Sequence, residues 1–313
     1  MKLSLVVPCY NEEQNVALFY RAATNVFDAE GYEYELVFVN DGSADNTLSE
    51  LKKLHAETNH NIRIISFSRN FGKEAAMYAG IEHAKGELVC LIDADLQQRP
   101  EVVAYMVKRL DEVPELDCVA AYQHQRHESK KLSFFKKSFY NIINSVSDTK
   151  FVQGASDFRT FRRSVAESVL SMGEYHRFSK GILSWVGFNT EYIPYEVQER
   201  VAGESKWSFK KLFNYAVDGI IAFSTAPLAI PLVLGIVLCA FSAVYLLATL
   251  FWCAVSYATF TIGLLLVFLI MLIGGLQLLG IGIVGKYLAK IYEQSKNRPI
   301  YIAKEIIEPK NEA

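Results

Sequence analysis

Between residues 212 and 285 the chain carries no lysine, no arginine and a single acid, Asp218. Two runs inside this stretch, 226–252 and 259–284, each exceed the roughly 20 apolar residues that a helix needs to cross a bilayer. The connection between them, 253–258, is short and uncharged, which predicts a transmembrane hairpin. Lys206, Lys210 and Lys211 precede the first run, and Lys286, Lys290, Lys296 and Arg298 follow the second. Basic residues concentrate on the cytoplasmic side of a membrane, so both ends are expected there. Segment 209–225 alternates apolar and polar residues at helical spacing and reads as an amphipathic helix lying on the inner leaflet. The chain therefore divides into a cytoplasmic domain over 1–208, an interfacial helix over 209–225, a hairpin over 226–285 and a cytoplasmic tail over 286–313.

Residues Gly280-Ile281-Gly282-Ile283-Val284-Gly285 match the dinucleotide fingerprint G-x-G-x-x-G letter for letter. The match is spurious, because it follows no strand and lies inside an expected membrane helix. Glycines there, with Gly274 and Gly275, are expected to allow close helix packing and leave room for a homo-oligomer. A Rossmann dehydrogenase is excluded on the same ground.

The remaining two thirds read as a globular α/β domain. A net charge of −2 argues against a nucleic-acid partner. Five cysteines, at 9, 90, 118, 239 and 253, lie too far apart for a zinc site or a disulfide framework and suit a reducing compartment. The N-terminus runs directly into an apolar strand, so no signal peptide is expected.

Apolar runs at 3–7, 34–39, 62–67 and 88–92 read as strands, each followed by a helical pattern. Pro8 is expected to close the first strand, since it cannot donate to a ladder. Asn11 and Gln14 resemble a capping box that would open the first helix. Strand then helix, four times over, predicts a doubly wound parallel sheet. Polar loops at 9–12, 40–43, 68–73 and 93–97 all fall at the carboxyl ends of strands, where open α/β sheets bind ligands. Asp93 and Asp95 stand two apart after the most apolar strand, and in an extended chain they face the same way. Taken alone, the two carboxylates read either as a solvated acidic turn after the strand or as a pair with a hard cation between them. Beyond Pro100 the pattern gives a helix to Glu112, a strand over 118–122, a basic helix over 130–137, a helix from Ser164 and a strand over 190–197.

Five stretches, in order, resemble the family-2 glycosyltransferases of the GT-A fold, and most of all their polyisoprenyl-phosphate branch, which holds bacterial bactoprenol glucosyltransferases and dolichyl-phosphate mannose synthases. They are Val6-Val7-Pro8-Cys9-Tyr10-Asn11-Glu12-Glu13, Asn40-Asp41-Gly42-Ser43, Arg69-Asn70-Phe71-Gly72-Lys73-Glu74, Asp93-Ala94-Asp95-Leu96-Gln97 and Arg200 with Gly203-Glu204-Ser205-Lys206-Trp207. Many family members carry Asp-Asp-Gly-Ser where this chain has Asn40, which is read here as a turn residue.

The resemblance implies that Asp93, Asp95 and Gln97 hold Mg²⁺ or Mn²⁺ and that Pro8, Tyr10, Glu12 and Asp41 form the nucleoside pocket. Lys73 either reaches the base or ribose edge or faces water as a helix-start lysine. Asp157 is the candidate for orienting the sugar or acting as a weak base, against a pairing with Arg159 or Arg162. Arg126, Arg200 and Lys206 are candidates for clamping phosphates, with a plain surface role open for Arg126. The implied reaction is inverting transfer of a hexose, UDP-glucose first and UDP-N-acetylglucosamine second, to a polyprenyl phosphate at the cytoplasmic leaflet of the inner membrane. A flippase and a downstream transferase are partners such a product would need. The alternative is a membrane-tethered nucleotide-sugar-binding scaffold, which would have no need of Asp93, Asp95 and Asp157 together. A processive synthase would carry Gln-x-x-Arg-Trp, which is missing here.

Overall fold

The computed structural model describes residues 1–123, 155–196 and 262–310, with isolated positions at 144 and between 228 and 251. Eight strands form one sheet in the order β7-β5-β6-β4-β1-β2-β3-β8. They are β1 Leu3–Cys9, β2 Tyr34–Asn40, β3 Asn61–Phe67, β4 Leu88–Leu91, β5 Cys118–Gln123, β6 Ala155–Arg162, β7 Thr190–Tyr195 and β8 Ala303–Ile307. The helices are α1 Val16–Glu30, α2 Thr47–Glu57, α3 Lys73–His83, α4 Pro100–Glu112, α5 Arg163–Ser171, α6 Ser179–Trp185 and α7 Ile262–Ser295.

The four expected parallel strands are present, paired β3-β2-β1-β4. The sheet is nevertheless mixed rather than purely parallel. Strand β6 runs antiparallel between β4 and β5, and β8 runs antiparallel along the outer edge of β3. Every residue of β2 and β4 is buried, as expected of strands covered on both faces. On one face α1, α2 and α4 supply Phe19, Phe27, Leu51, Val103 and Leu110 to the core. On the other α3, α5 and α6 supply Ala76, Ala79, Ile81, Val165 and Ile182. Gly80 of α3 lies so close to β1 that a Cβ there would stand 2.1 Å from Val6 Cγ1, which fixes how near that helix can sit.

Two local expectations are overturned. Pro8 does not close β1, which continues through Cys9. The Ile92 N–H donates to Val6 O on the β4 side, and β4 ends at Leu91, so the missing N–H of Pro8 faces a side where the ladder is already over. Nor does Asn11 open a capping box. Its backbone is left-handed at φ 55, its side chain accepts from Ala44 N at 2.9 Å, and α1 begins only at Val16.

The tail is also more than a tail. Strand β8 closes the β3 edge with Glu305 paired to Lys52 at 2.7 Å, and Lys310 donates to the carbonyls of Ala56 and Thr58. Buried Arg63 meets Glu308 on that edge and stands 3.7 Å from Glu35, whose other oxygen accepts from Ser4 Oγ and Lys85 N.

Among the described residues one helix is long and apolar enough to cross a membrane, within Leu272–Ser295 of α7. At 34 residues α7 is about 50 Å long, well beyond a bilayer's hydrocarbon thickness of roughly 30 Å. It runs past the expected end at 284, and its last turn docks on the globular domain. Gln294 bonds the Tyr175 N–H and the Gly173 carbonyl at 2.8 Å each, and Glu293 pairs with His176. The expected span at 226–252, like the interfacial segment 209–225, falls largely or wholly outside the described residues. A Cβ at Gly280 would stand 3.1 Å from Pro231 Cβ, whereas Gly274, Gly275, Gly282 and Gly285 have nothing within 4 Å among the described residues.

Candidate active site

The parallel strands deliver four polar loops to one sheet edge, and hydrogen bonds join each loop to the next. The first and second are stitched through backbone amides. Asn11 N donates to Ser43 Oγ at 3.0 Å, Glu12 N to Thr47 Oγ1 at 2.8 Å and Asp41 N to the Cys9 carbonyl at 2.9 Å. Tyr10 stands partly exposed beside them, Pro8 half-buried at the strand end, and Glu12 accepts from Asn15 Nδ2 at 2.6 Å.

Asp41 is 3% exposed and ties the second loop to the third. Its Oδ1 accepts from Phe71 N at 2.6 Å, and its Oδ2 from Gly72 N at 3.0 Å. Burial pushes this carboxyl up, against the pull of the two amides and Arg69. Gly42 is left-handed at φ 60 and backs onto the Arg69 peptide, where a Cβ would stand 2.3 Å from the carbonyl carbon. Asn40 is buried, donating to Ser66 Oγ at 3.0 Å and accepting from Ser43 N, which is the turn role expected of it.

Loop 93–98 carries the acidic pair. Asp93 is braced by Gln98, which accepts from its N–H at 2.9 Å and donates to its Oδ2 at 3.2 Å. Asp95 accepts from Gln97 N at 3.1 Å around Leu96, which is left-handed at φ 58. Gln98, 7% exposed, was not singled out from sequence, where only the alternation of 93, 95 and 97 carried a signal.

Lys73 joins this loop to β6. Its Nζ lies 2.5 Å from Asp93 Oδ1 and 3.8 Å from Asp157 Oδ2. Burial lowers the tendency of this ammonium to stay protonated, but the two carboxylates raise it further, so it is firmly charged. Burial pushes Asp157 up, and the charges of Lys180, Lys73 and Arg159 outweigh it, leaving the carboxyl below its usual range. Asp157 Oδ1 is buried and has no hydrogen-bond partner among the described residues. Arg162 is turned away, donating to the Leu110 and Leu116 carbonyls at 2.7 Å.

Behind Lys73, Glu74 accepts from Ser179 N at 2.9 Å and from its hydroxyl, pinning α6 to α3. Burial and the nearby Asp157 push the Glu74 carboxyl up to about 7. Glu74 belongs to the third motif, but only the packing of β6 against β4 brings it near Asp157. Arg126, Arg200 and Lys206 lie outside the described residues.

Asp93 and Asp95 are the carboxylates on this edge that could hold a divalent ion, with few protein ligands. Asp93 already holds a positive group on Oδ1, and among the described residues no cluster of three or more His, Cys, Asp and Glu offers a closed cage. Few protein ligands leave places for phosphate oxygens, as Mg²⁺ sites on nucleotides require.

The mixed α/β sheet is of the GT-A type, with Asp93-Ala94-Asp95 just past the end of its central strand β4. The sequence model for glycosyl transferase family 2 matches residues 4–170, and the chain belongs to that family. CsbB of Bacillus subtilis is 38% identical over 303 residues, covering 97% of this chain and 91% of its own. The bactoprenol glucosyl transferase of Shigella phage SfV is 39% identical over 311 residues, covering 97% of this chain and 98% of its own. Among solved structures, mannosyl-3-phosphoglycerate synthase from Rubrobacter xylanophilus matches with a TM-score of 0.49 at 16% identity, over 70% of this chain and 72% of that one.

Proposed function

We propose that the protein transfers glucose from UDP-glucose to a polyprenyl phosphate at the cytoplasmic face of the inner membrane. The observation that carries this reading is the extent of the match to a bactoprenol glucosyl transferase. It covers 97% of this chain, so it includes the long apolar helix as well as the sheet. A membrane-bound acceptor explains why a catalytic sheet should be fastened to such a helix.

In this reading 1–208 is the catalytic domain, 209–225 lies on the leaflet, and 226–252 with 259–284 form the hairpin, with both chain ends cytoplasmic. Pro8, Tyr10, Glu12 and Asp41 line the nucleoside end of the edge. Asp93, Asp95 and Gln97 hold Mg²⁺ or Mn²⁺, which when bound stabilises the charge of the departing nucleoside diphosphate. A phosphate oxygen of the lipid attacks the anomeric carbon as the bond to the UDP oxygen breaks, in one displacement that inverts configuration. The acceptor is already an anion, so a strong general base is unnecessary. Asp157, held ionised by its cationic neighbours, orients the sugar from the acceptor side. Arg126, Arg200 and Lys206 complete the phosphate clamps, a task to which forked guanidinium groups are suited. The product would serve cell-envelope glycosylation after transfer across the membrane.

The test is a donor screen with purified full-length protein, undecaprenyl phosphate, Mg²⁺ and labelled nucleotide sugars. Label from UDP-glucose should enter the lipid phase. Label entering only from UDP-N-acetylglucosamine would replace the donor, and none entering from any common donor would overturn the reading.

A further inference from the structure

We propose that Lys73 is a stand-in for the divalent cation, neutralising Asp93 and Asp157 in the donor-free enzyme and giving up Asp93 when the metal-diphosphate enters. The inference rests on the metal-dependent reading above and adds a role for a residue that reading leaves without one.

Three observations carry it. The Lys73 ammonium sits on Asp93 Oδ1, whereas the other oxygen, Oδ2, is engaged by Gln98, so the lysine occupies the atom left for a metal. Mg²⁺ binds oxygen at about 2.0–2.1 Å. With the ammonium 2.5 Å from that same oxygen, the two positive groups would stand within about 5 Å of each other and repel. Each disfavours the other on that oxygen. Lys73 also has somewhere to go, since Asp157 Oδ2 is already 3.8 Å from its Nζ.

Local structure permits the exchange. The backbone before Lys73 is fixed, because the Gly72 N–H is held by Asp41, while the Lys73 side chain remains 42% exposed. A fixed root with a solvent-accessible, flexible stem is suited to moving between two carboxylates. The consequence is conditional metal affinity. Asp93 stays paired with Lys73 and accepts a divalent ion only when the donor's phosphates add ligands and draw the lysine off.

The experiment measures Mn²⁺ binding by electron paramagnetic resonance on full-length protein in detergent, with and without UDP. Without UDP, Lys73→Met should bind Mn²⁺ about tenfold or more tightly than wild type, since a like charge is gone. Lys73→Arg should stay as weak as wild type, and Lys73→Met with Asp93→Asn should lose the gain. With UDP present, wild type should bind well and the gap should narrow. If wild type binds Mn²⁺ with UDP but Lys73→Met is no tighter than wild type without it, the stand-in role is wrong and the metal-dependent reading stands. A gain that survives Asp93→Asn overturns the stand-in role equally. If wild type binds no Mn²⁺ even with UDP, the metal-dependent reading fails and takes this inference with it.

Discussion

Gln98 grips Asp93 from both ends of its amide, accepting from the aspartate's backbone and donating to its carboxylate. The amide thereby fixes which carboxylate oxygen of Asp93 faces the open edge. In the proposed function Asp93 is a metal ligand, and groups that orient such a ligand typically contribute 10- to 100-fold in affinity or activity. Gln98→Ala should therefore raise the Mn²⁺ concentration needed for half-maximal transfer by about tenfold or more. A metal titration of the transfer rate checks this, and an unchanged midpoint would show that Gln98 merely fills space.

Gly42 makes a second prediction about the same edge. Its φ of 60 and its contact with the Arg69 peptide leave no place for a side chain. Gly42→Ala must push the second and third loops apart, at a cost of about 1–3 kcal/mol for overpacking against backbone. Thermal unfolding should show the loss, and UDP binding should weaken with it, because Asp41 beside it joins those two loops.

Glu74 predicts a pH dependence. Its carboxyl is pushed up to about 7 in the folded protein, from an ordinary value of 4.5. The folded state thus holds this proton more tightly than the unfolded state does. The resulting stabilisation is complete below pH 4.5 and is lost as pH rises through 7. Glu74→Gln stays neutral throughout and can still accept from Ser179 N. Its unfolding midpoint should fall less between pH 5 and pH 8 than that of wild type, and an equal fall would place the titration elsewhere.

At the far edge, Tyr301 stacks on Phe67 with ring centroids 4.8 Å apart and donates its hydroxyl to Glu82 at 2.5 Å. Next to it the Ser68 N–H donates to the Ile302 carbonyl at 3.0 Å. These contacts join the segment after α7 to the strand that feeds the third site loop. Tyr301→Ala should cost about 2 kcal/mol through lost aromatic packing and a lost hydrogen bond, and Tyr301→Phe about 1 kcal/mol. Denaturant unfolding of the two variants separates the contributions.

The parallel core and its loops were legible because buried strands announce themselves as uninterrupted apolar runs, as 34–39 and 88–92 do. Strand β6 was hidden, since Ala155-Ser156-Asp157-Phe158-Arg159 mixes polar and apolar residues, and Arg159, although buried, donates from one guanidinium nitrogen to the Ser156 carbonyl. Strand β8 was hidden for a different reason. Ala303-Lys304-Glu305 is an edge whose charges find Lys52 and solvent, so its sequence reads as a polar tail. Asp93 and Asp95 could be picked out by spacing along one strand. The meeting of Lys73, Glu74 and Asp157 could not, because it depends on β6 lying against β4.

The central claim is that Asp93 and Asp95 serve a metal-diphosphate during sugar transfer to a lipid phosphate. Its most direct test is the initial rate of glucose transfer to undecaprenyl phosphate by Asp95→Asn beside wild type, at saturating UDP-glucose and Mg²⁺. The amide keeps the shape and removes the charge. Transfer should fall by about 100-fold or more, in line with the several kcal/mol that Lewis-acid stabilisation supplies. Transfer by Asp95→Asn at the wild-type rate would contradict the account.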